Sequence, residues 1–204
     1  TNNYIQDIKL YLEDYILSNN EFHYKQINDI TYDFSNAQFI DLPYNYLTLQ
    51  PNETKNILIN IKPHTKEGSF WSMLIIENLN HSLTKFDNSS VLTEIIRYGI
   101  FLKTNINVNN FKLSDIQISN YHMKNEVFNY SLKNYSNFYM KFNINLLAYN
   151  KNGDELLKKS LNASSLYPKQ EKTFKVNFSN YKEIENVLLE LEINNEILIY
   201  NLTL

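Results

Sequence analysis

The 204-residue chain lacks cysteine altogether and has only 3 glycines, 4 prolines and 1 tryptophan. Without cysteine, it has no disulfide, no thiolate nucleophile and no zinc-thiolate site. With so few glycines, it also lacks the glycine-rich loops by which many nucleotide enzymes hold phosphate. No apolar run approaches the roughly 20 residues that a transmembrane helix needs. These absences remove several classes of enzyme and the helical membrane proteins.

The charges are dispersed along the chain, with 19 basic and 22 acidic residues and a net charge of −3. Nucleic-acid binding needs clustered cations that neutralise phosphates, so we do not expect it. No serine stands in a nucleophile elbow, and no histidine has a metal ligand at a recognisable zinc spacing. The four histidines are His23, His64, His81 and His122. We therefore expect a non-enzymatic protein without a metal or a cofactor.

A motif of the form Leu-x-Pro-x-x-x-Lys occurs twice, at 49–55 and at 166–172. Proline favours a turn, and apolar residues alternate with polar ones after each copy, as in a strand with one buried face. The copies lie about one domain length apart, which predicts two related domains in tandem. We place these domains at 1–106 and 107–204, with a linker near 105–110.

The composition favours strands, since the chain has 16 tyrosines, 12 phenylalanines and 43% hydrophobic residues. In the first half, 70–76 is an apolar run expected of a central strand, with Trp71 as a core anchor, and Ile57, Ile59 and Ile61 are predicted to face a core. For 181–190 we favour a loop followed by a strand. Seven strands are predicted in the second half, at 116–119, 128–133, 139–149, 155–161, 172–178, 187–193 and 197–204. The predicted fold class is all-β, with two tandem immunoglobulin-like antiparallel β-sandwiches.

Three stretches of the first half, 39–43, 47–55 and 67–77, resemble the first domain of PapD-like, pilus chaperone-like exported bacterial proteins. In the second half, Asn134, the Asn152-Gly153 turn and Tyr167-Pro168 resemble the second domain of such proteins. The resemblance implies a protein of the periplasm or the cell surface that binds or chaperones a protein partner, as in pilus assembly. It also implies binding through an exposed β-strand edge or the cleft between the two domains.

The candidate edge is the segment 91–102, in which apolar residues recur on one face. Its alternative interpretation is an ordinary last strand that packs on the core of its own domain. Pilus chaperones use two cleft cations, and neither Arg97, the only arginine, nor Lys103 aligns with them. The predicted partner-binding residues are Leu92, Ile96, Arg97, Ile100, Leu102 and Lys103.

A second function remains open, that of a surface adhesin or carbohydrate-binding module. Tyrosines combine an apolar ring with a polar tip and stack on sugars as well as on protein surfaces. The tyrosines considered for such a platform are Tyr44, Tyr46, Tyr130, Tyr135 and Tyr139.

Overall fold

The computed structural model describes residues 3–18, 21–26, 32–80, 82–87, 90–181 and 183–204, with the backbone alone described at 24–26, 82–87 and 90–94. By internal packing the chain divides into two compact units. The first unit comprises Thr1–Lys66 and Phe70–Ile106, and the second comprises Glu67–Ser69 and Asn107–Leu204. The predicted all-β class is confirmed, because the regular elements of the described residues are strands and short 3-10 turns.

Among the described residues, nine strands lie wholly or mainly in the first unit. They are β1 (Gln6–Ser18), β2 (Glu21–Gln26), β3 (Ile40–Asp41), β4 (Tyr46–Leu49), β5 (Asn60–Ile61), β6 (Gly68–Asn78), β7 (Ser82–Asp87), β8 (Ser90–Glu94) and β9 (Arg97–Ile106). The main sheet has the order β2-β1-β6-β9, and β4 also pairs with β1. Two further pairs are β3 with β5 and β7 with β8.

Strand β6 is the centre of the first unit, as its unbroken apolar sequence predicts. It is flanked by β1 and β9, and every residue from 68 to 75 is buried. Trp71 has no exposed surface. Its ring stacks on Phe34 at 5.6 Å, and its Nε1 donates a hydrogen bond to the Tyr15 carbonyl at 2.7 Å. The prediction that Trp71 is a core anchor is therefore confirmed.

Both copies of the Leu-x-Pro motif form the same turn. After each proline comes a residue with left-handed φ, Asn52 at 60° and Lys169 at 63°. The next residue, Glu53 or Gln170, donates its backbone N–H to the carbonyl before the proline, at 3.0 and 3.1 Å. The side chain of Glu53 or Gln170 in turn accepts a hydrogen bond from the backbone N–H of the residue before the proline, at 2.7 and 3.0 Å. The motif is therefore a structural turn with one geometry in both units.

The strand predicted after the first copy of the Leu-x-Pro motif is much shorter than expected. Only Asn60–Ile61 forms a strand, paired with β3. Ile57 and Ile59 are half-buried, but Ile61 is 44% exposed and does not face the core. The alternation of side chains is present, but without a long neighbouring strand the segment makes no continuous ladder.

The second unit contains all seven strands that the sequence predicts. They are β10 (Ile116–Lys124), β11 (Val127–Asn134), β12 (Met140–Asn150), β13 (Glu155–Leu166), β14 (Glu171–Asn177), β15 (Ile184–Ile193) and β16 (Glu196–Thr203). One sheet has the order β10-β11-β14 and the other β13-β12-β15-β16. The segment 181–190 enters β15, as favoured over a helix.

Alternate residues of the central strands of the second unit build its core. Along β12, every second side chain from Met140 to Ala148 is buried, and β15 contributes Val187, Leu189, Leu191 and Ile193. The hairpin between β12 and β13 turns at Gly153, whose φ is 83°, as the Asn-Gly sequence predicts. This period of two is why the sequence located these strands well.

Candidate functional site: the exposed edge strand β9

Strand β9 lies at the end of the main sheet of the first unit. Within the described residues it pairs only with β6. Over Arg97–Leu102 the strand therefore presents an edge with backbone N–H and C=O groups directed away from the sheet. Such an edge can hydrogen-bond to an additional strand.

The side chains of β9 are unusually exposed for an apolar strand. All residues from 95 to 101 are exposed, with Tyr98 at 63% and Ile100 at 46%. Leu102, two positions further, is half-buried. Because strand residues alternate between faces, these three side chains lie on one side of the sheet.

That side continues the even-numbered face of β6. A Cβ added at Gly99 would meet the side chain of Met73, so the odd-numbered residues of β9 lie beside the odd-numbered residues of β6. The even-numbered residues of β9 consequently lie on the same side as Ser72 and Leu74. Both faces of β6 are buried here, since Ser72 and Leu74 are 0% and 3% exposed and Met73 and Ile75 are 8% and 6% exposed, whereas Tyr98 and Ile100 at the edge are exposed.

A charged cluster lies at the start of β9. Arg97 Nε donates to Glu77 Oε2 at 3.0 Å, and the Tyr11 hydroxyl donates to the same oxygen at 2.9 Å. Burial, reinforced by the hydrogen bond to Glu77, raises the pKa of Tyr11 to about 12. Lys9 Nζ lies 4.9 Å from the centroid of the Tyr11 ring. These residues line an open cleft of about 630 Å³, which also includes Asp41.

The predicted segment 91–102 is not one strand, which corrects the sequence interpretation. Leu92 belongs to β8, which pairs with β7, and its side chain lies outside the description. Ile96 stands in the break before β9 and is 43% exposed. Its carbonyl accepts a hydrogen bond from Asn78 N at 3.1 Å. Residues 95 and 96 thus separate two strands that pair with different partners, β8 with β7 and β9 with β6.

The remaining predicted residues lie on β9 itself. Arg97 and Ile100 are exposed, as is Lys103, whereas Leu102 is half-buried. The sequence interpretation missed Tyr98 and the partners of Arg97. Tyr98 follows the same alternation as Ile100 and was detectable once the strand start was placed correctly. The contacts of Arg97 depend on strand pairing, which the sequence does not reveal.

A buried polar cluster occurs elsewhere in the first unit, and it is not arranged as a nucleophilic site. The Ser35 hydroxyl donates to Asp14 Oδ1 at 2.5 Å, while His64 Nε2 lies 2.7 Å from Asn36 Oδ1 and not beside a serine. Burial raises the pKa of Asp14, opposed by hydrogen bonds from serine hydroxyls. Burial lowers the pKa of His64, whose ring is 3.7 Å from that of Phe39. The cavity beside these groups measures about 460 Å³.

The tyrosines considered for a carbohydrate platform differ in exposure, and Tyr130 is excluded from any surface. Tyr130 is only 1% exposed and belongs to the core of the second unit. Tyr139 is half-buried and packs edge-on against Tyr167. Tyr46 and Tyr135 are well exposed, at 62% and 45%, but they belong to different units.

Two features are absent from the part of the chain that the structure describes. No group of three or more histidine, aspartate or glutamate side chains there is placed to hold a metal ion. Among the same residues, no helix has the length and apolar character needed to cross a membrane.

The fold is similar to that of the class 5 fimbriae chaperone CfaA, with a TM-score of 0.57 and 16% identity over 98% of this chain and 87% of that one. The CupB2 chaperone of Pseudomonas aeruginosa matches all of this chain and 88% of its own at 12% identity, with a TM-score of 0.40. A structure of the Salmonella enterica SafA pilin in complex with the SafB chaperone matches all of this chain and 85% of its own, at 12% identity and a TM-score of 0.44. The last two scores are too low to carry an argument.

No protein-family model and no curated protein matches the chain. The similarity to CfaA is structural, and at this identity it shows the fold. The chain accordingly has the PapD-like fold of pilus chaperones, with immunoglobulin-like β-sandwiches, as the resemblance in the sequence predicted.

Proposed function

We propose that this protein is a non-enzymatic bacterial envelope protein that binds or chaperones a protein partner by pairing β9 with the partner's incomplete β-sheet. The observation that carries the proposal is the edge position of β9, with Tyr98 and Ile100 exposed on one side of the strand. The similarity to a fimbriae chaperone supports a partner of the pilus-subunit class and a location in the periplasm or at the cell surface.

The geometry of β9 suits addition of a strand. Outward backbone groups between Arg97 and Leu102 can hydrogen-bond to an extended chain. Tyr98, Ile100 and Leu102 provide side chains at the two-residue spacing that fills successive pockets. Burying an apolar side chain of this size contributes about 1.5–3 kcal/mol. Three such side chains offset a substantial part of the entropic cost of association.

Arg97 gives the edge a defined end. It is 55% exposed while it is fixed to the largely buried Glu77. A partner strand that pairs with β9 therefore meets one oriented cation at the start of the strand and an apolar stretch after it. Charged groups at the margin of an interface affect the association rate and the register more than the affinity.

The proposal is tested with the Ile100→Lys variant. The full chain is produced in the periplasm together with fimbrial-subunit-like proteins encoded beside its gene, and co-purification and affinity are measured. Ile100 is exposed, so the fold survives, but a lysine there removes an apolar contact and adds a charge to the edge. We expect binding to weaken by about tenfold or more, with unchanged circular dichroism and melting temperature.

Ile199→Lys, an equivalent change at an exposed isoleucine of the second unit, is the matched control. The milder Ile96→Lys change, just before β9, should weaken binding less than Ile100→Lys. Equal binding by the wild type and Ile100→Lys would overturn the role of β9. Failure of the wild type to retain any of the neighbouring subunits would refute the chaperone role.

A further inference from the structure

The first unit contains a cavity of about 460 Å³ that takes no part in strand pairing at β9. We call it the Asp14 cavity, after the acidic residue among its most buried lining residues. Asp14 and Ser35, which both line it, are 2% and 6% exposed. The volume lies within the range of small-molecule pockets, about 300–1,000 Å³.

Asp14 interrupts an apolar series on β1. The alternate residues that share its face of the strand are Ile8, Leu10, Leu12 and Ile16. The hydroxyls of Ser35 and Ser72 both donate to Asp14 Oδ1, at 2.5 and 3.4 Å. Within the described residues, no hydrogen bond or ion pair reaches Oδ2. A nearly fully buried carboxylate thus lines the cavity with one oxygen left without a partner.

This carboxylate costs stability. Burying an ionised group is unfavourable unless it is paired, and burial accordingly raises the pKa of Asp14. An apolar residue at this position would continue the series on β1 and avoid the cost. A charge that is retained inside a cavity at a cost in stability is typical of a binding site, where the ligand supplies the missing partner.

The remaining charges of the cavity favour a cation over an anion. Asp33 and Lys66 are both exposed and of opposite sign, so among the described lining residues Asp14 is the charge that no other offsets. Burial lowers the pKa of His64, so its imidazole is neutral at pH 7 and adds no positive charge.

Aromatic rings provide the apolar part of the lining. The ring of His64 lies 3.7 Å from that of Phe39 and 4.0 Å from that of Phe70, measured between centroids, and all three residues line the cavity. Aromatic faces attract cations and pack against methylene chains. A metal ion fits less well, because the described residues include no group of three or more side chains placed to hold one.

We propose that the Asp14 cavity binds a primary alkylammonium group, with the ammonium donating to Asp14 Oδ2 and the alkyl chain against the aromatic rings. An ammonium has three N–H donors and forms strong, charge-assisted hydrogen bonds to a carboxylate. The site is independent of the proposed function, since none of the described lining residues belongs to β9.

The probe is n-butylammonium, titrated into the full chain. Tyr32 lines the cavity and lies edge-on to Trp71, with ring centroids 5.7 Å apart, so the fluorescence of the single tryptophan should report binding, and calorimetry gives the affinity. We expect saturable binding with a dissociation constant of about 1 mM or lower. Butyrate and 1-butanol, an anionic and a neutral match, should bind at least about tenfold more weakly. Equal binding of 1-butanol would overturn the proposal.

Asp14→Asn keeps the shape of the side chain and removes its charge. It should weaken binding of n-butylammonium by about tenfold or more while the melting temperature rises, a combination that a purely structural carboxylate would not give. Asp154→Asn, at an exposed aspartate of the second unit, is the matched control and should leave the affinity unchanged. Binding that survives Asp14→Asn, or a wild type without saturable binding, overturns the proposal.

Gln38 provides a pair of variants that leaves the core intact. It lines the cavity and is exposed, so both variants should fold. Gln38→Glu should tighten binding of n-butylammonium and Gln38→Lys should weaken it, because each changes the charge beside the bound cation. An equal affinity of the two variants would contradict a cation in the cavity.

An alkylammonium group occurs both in free amines and in lysine side chains. N-acetyl-lysine N-methylamide carries the same four-carbon ammonium on a peptide backbone, so it separates these sources. Binding of both compounds would support a lysine side chain of a protein as the ligand, and binding of n-butylammonium alone would support a free amine. If neither compound binds, the proposal is refuted, whatever the outcome at β9.

Discussion

Replacing Tyr130 with phenylalanine should stabilise the protein. Tyr130 is 1% exposed, and its buried hydroxyl has no hydrogen-bond partner among the residues that the structure describes. Burial also raises the pKa of Tyr130 above its ordinary value of 10.0. The ring itself is well packed, stacked at 5.2 Å on Phe174 and at 5.5 Å on Phe128. The substitution therefore removes an unpaired polar atom and keeps the aromatic contacts.

The expected magnitude follows from the cost of burying an unpaired hydroxyl, about 1–3 kcal/mol. Since the vacated space is small, we expect the free energy of unfolding to rise by about 1–2 kcal/mol. For a unit of this size, 1 kcal/mol corresponds to roughly 4–8 °C in melting temperature. The increase should appear only in the transition of the second unit.

The assay follows the two units separately, by urea and thermal unfolding. The single tryptophan, Trp71, belongs to the first unit, so its fluorescence reports that unit and serves as an internal control. Tyrosine absorbance and circular dichroism report the second. Tyr200→Phe is the matched variant, because the Tyr200 hydroxyl donates to the Ile116 carbonyl. Its loss should destabilise the second unit by about 1 kcal/mol. If Tyr130→Phe lowered stability as well, the Tyr130 hydroxyl would have a partner in solution, and the reasoning would be wrong.

Three other predictions concern charge, backbone conformation and cleavage. The raised pKa of Asp14 means that ionisation of this buried carboxyl opposes folding, so Asp14→Asn should stabilise at pH 7. In urea titrations this gain should shrink as the pH falls through the raised pKa towards 3.8, its ordinary value. Gly68 has φ of 140°, and a Cβ there would lie 2.7 Å from a backbone carbonyl oxygen. Gly68→Ala should therefore cost about 2–4 kcal/mol of unfolding free energy. At Gly153 a Cβ meets nothing, and alanine there should cost about 1 kcal/mol; equal losses would refute the steric argument. Limited proteolysis should first cut between residues 103 and 111, near the predicted domain boundary, and mass spectrometry would show an earlier cut elsewhere.

The pattern of apolar and polar residues along the chain was sufficient to predict much of the fold. Each strand of the second unit was visible as alternation, and β6 was visible because a strand covered on both faces has no polar positions to interrupt it. The turn after Pro51 was predictable because proline and the residues after it determine the backbone there. These features depend on a few neighbouring residues, which the sequence shows directly.

Pairing between distant strands was not visible. The sequence joined Leu92 to Ile100 in one strand, but a break at residues 95 and 96 divides β8, which pairs with β7, from β9, which pairs with β6. Ile61 was expected in the core because its alternation is regular, yet only two residues there find a partner strand. Tyr130 was considered for the surface because a tyrosine fits both environments. In each case the outcome depends on which strand lies alongside, and alternation alone does not contain that information.

The strongest argument that the exposed edges are functional comes from comparing edges within the same chain. Lysine is abundant in this sequence, and β13 carries two exposed lysines where no strand is to be added. Strand β9 carries no lysine between Tyr98 and Leu102, and β16 carries no lysine between Ile197 and Thr203. All three edge strands belong to the same chain, so a shortage of charged residues in the chain does not explain why β9 and β16 lack lysine there. An uncharged apolar edge favours aggregation, which supports the proposal that a partner strand covers β9 when the protein functions.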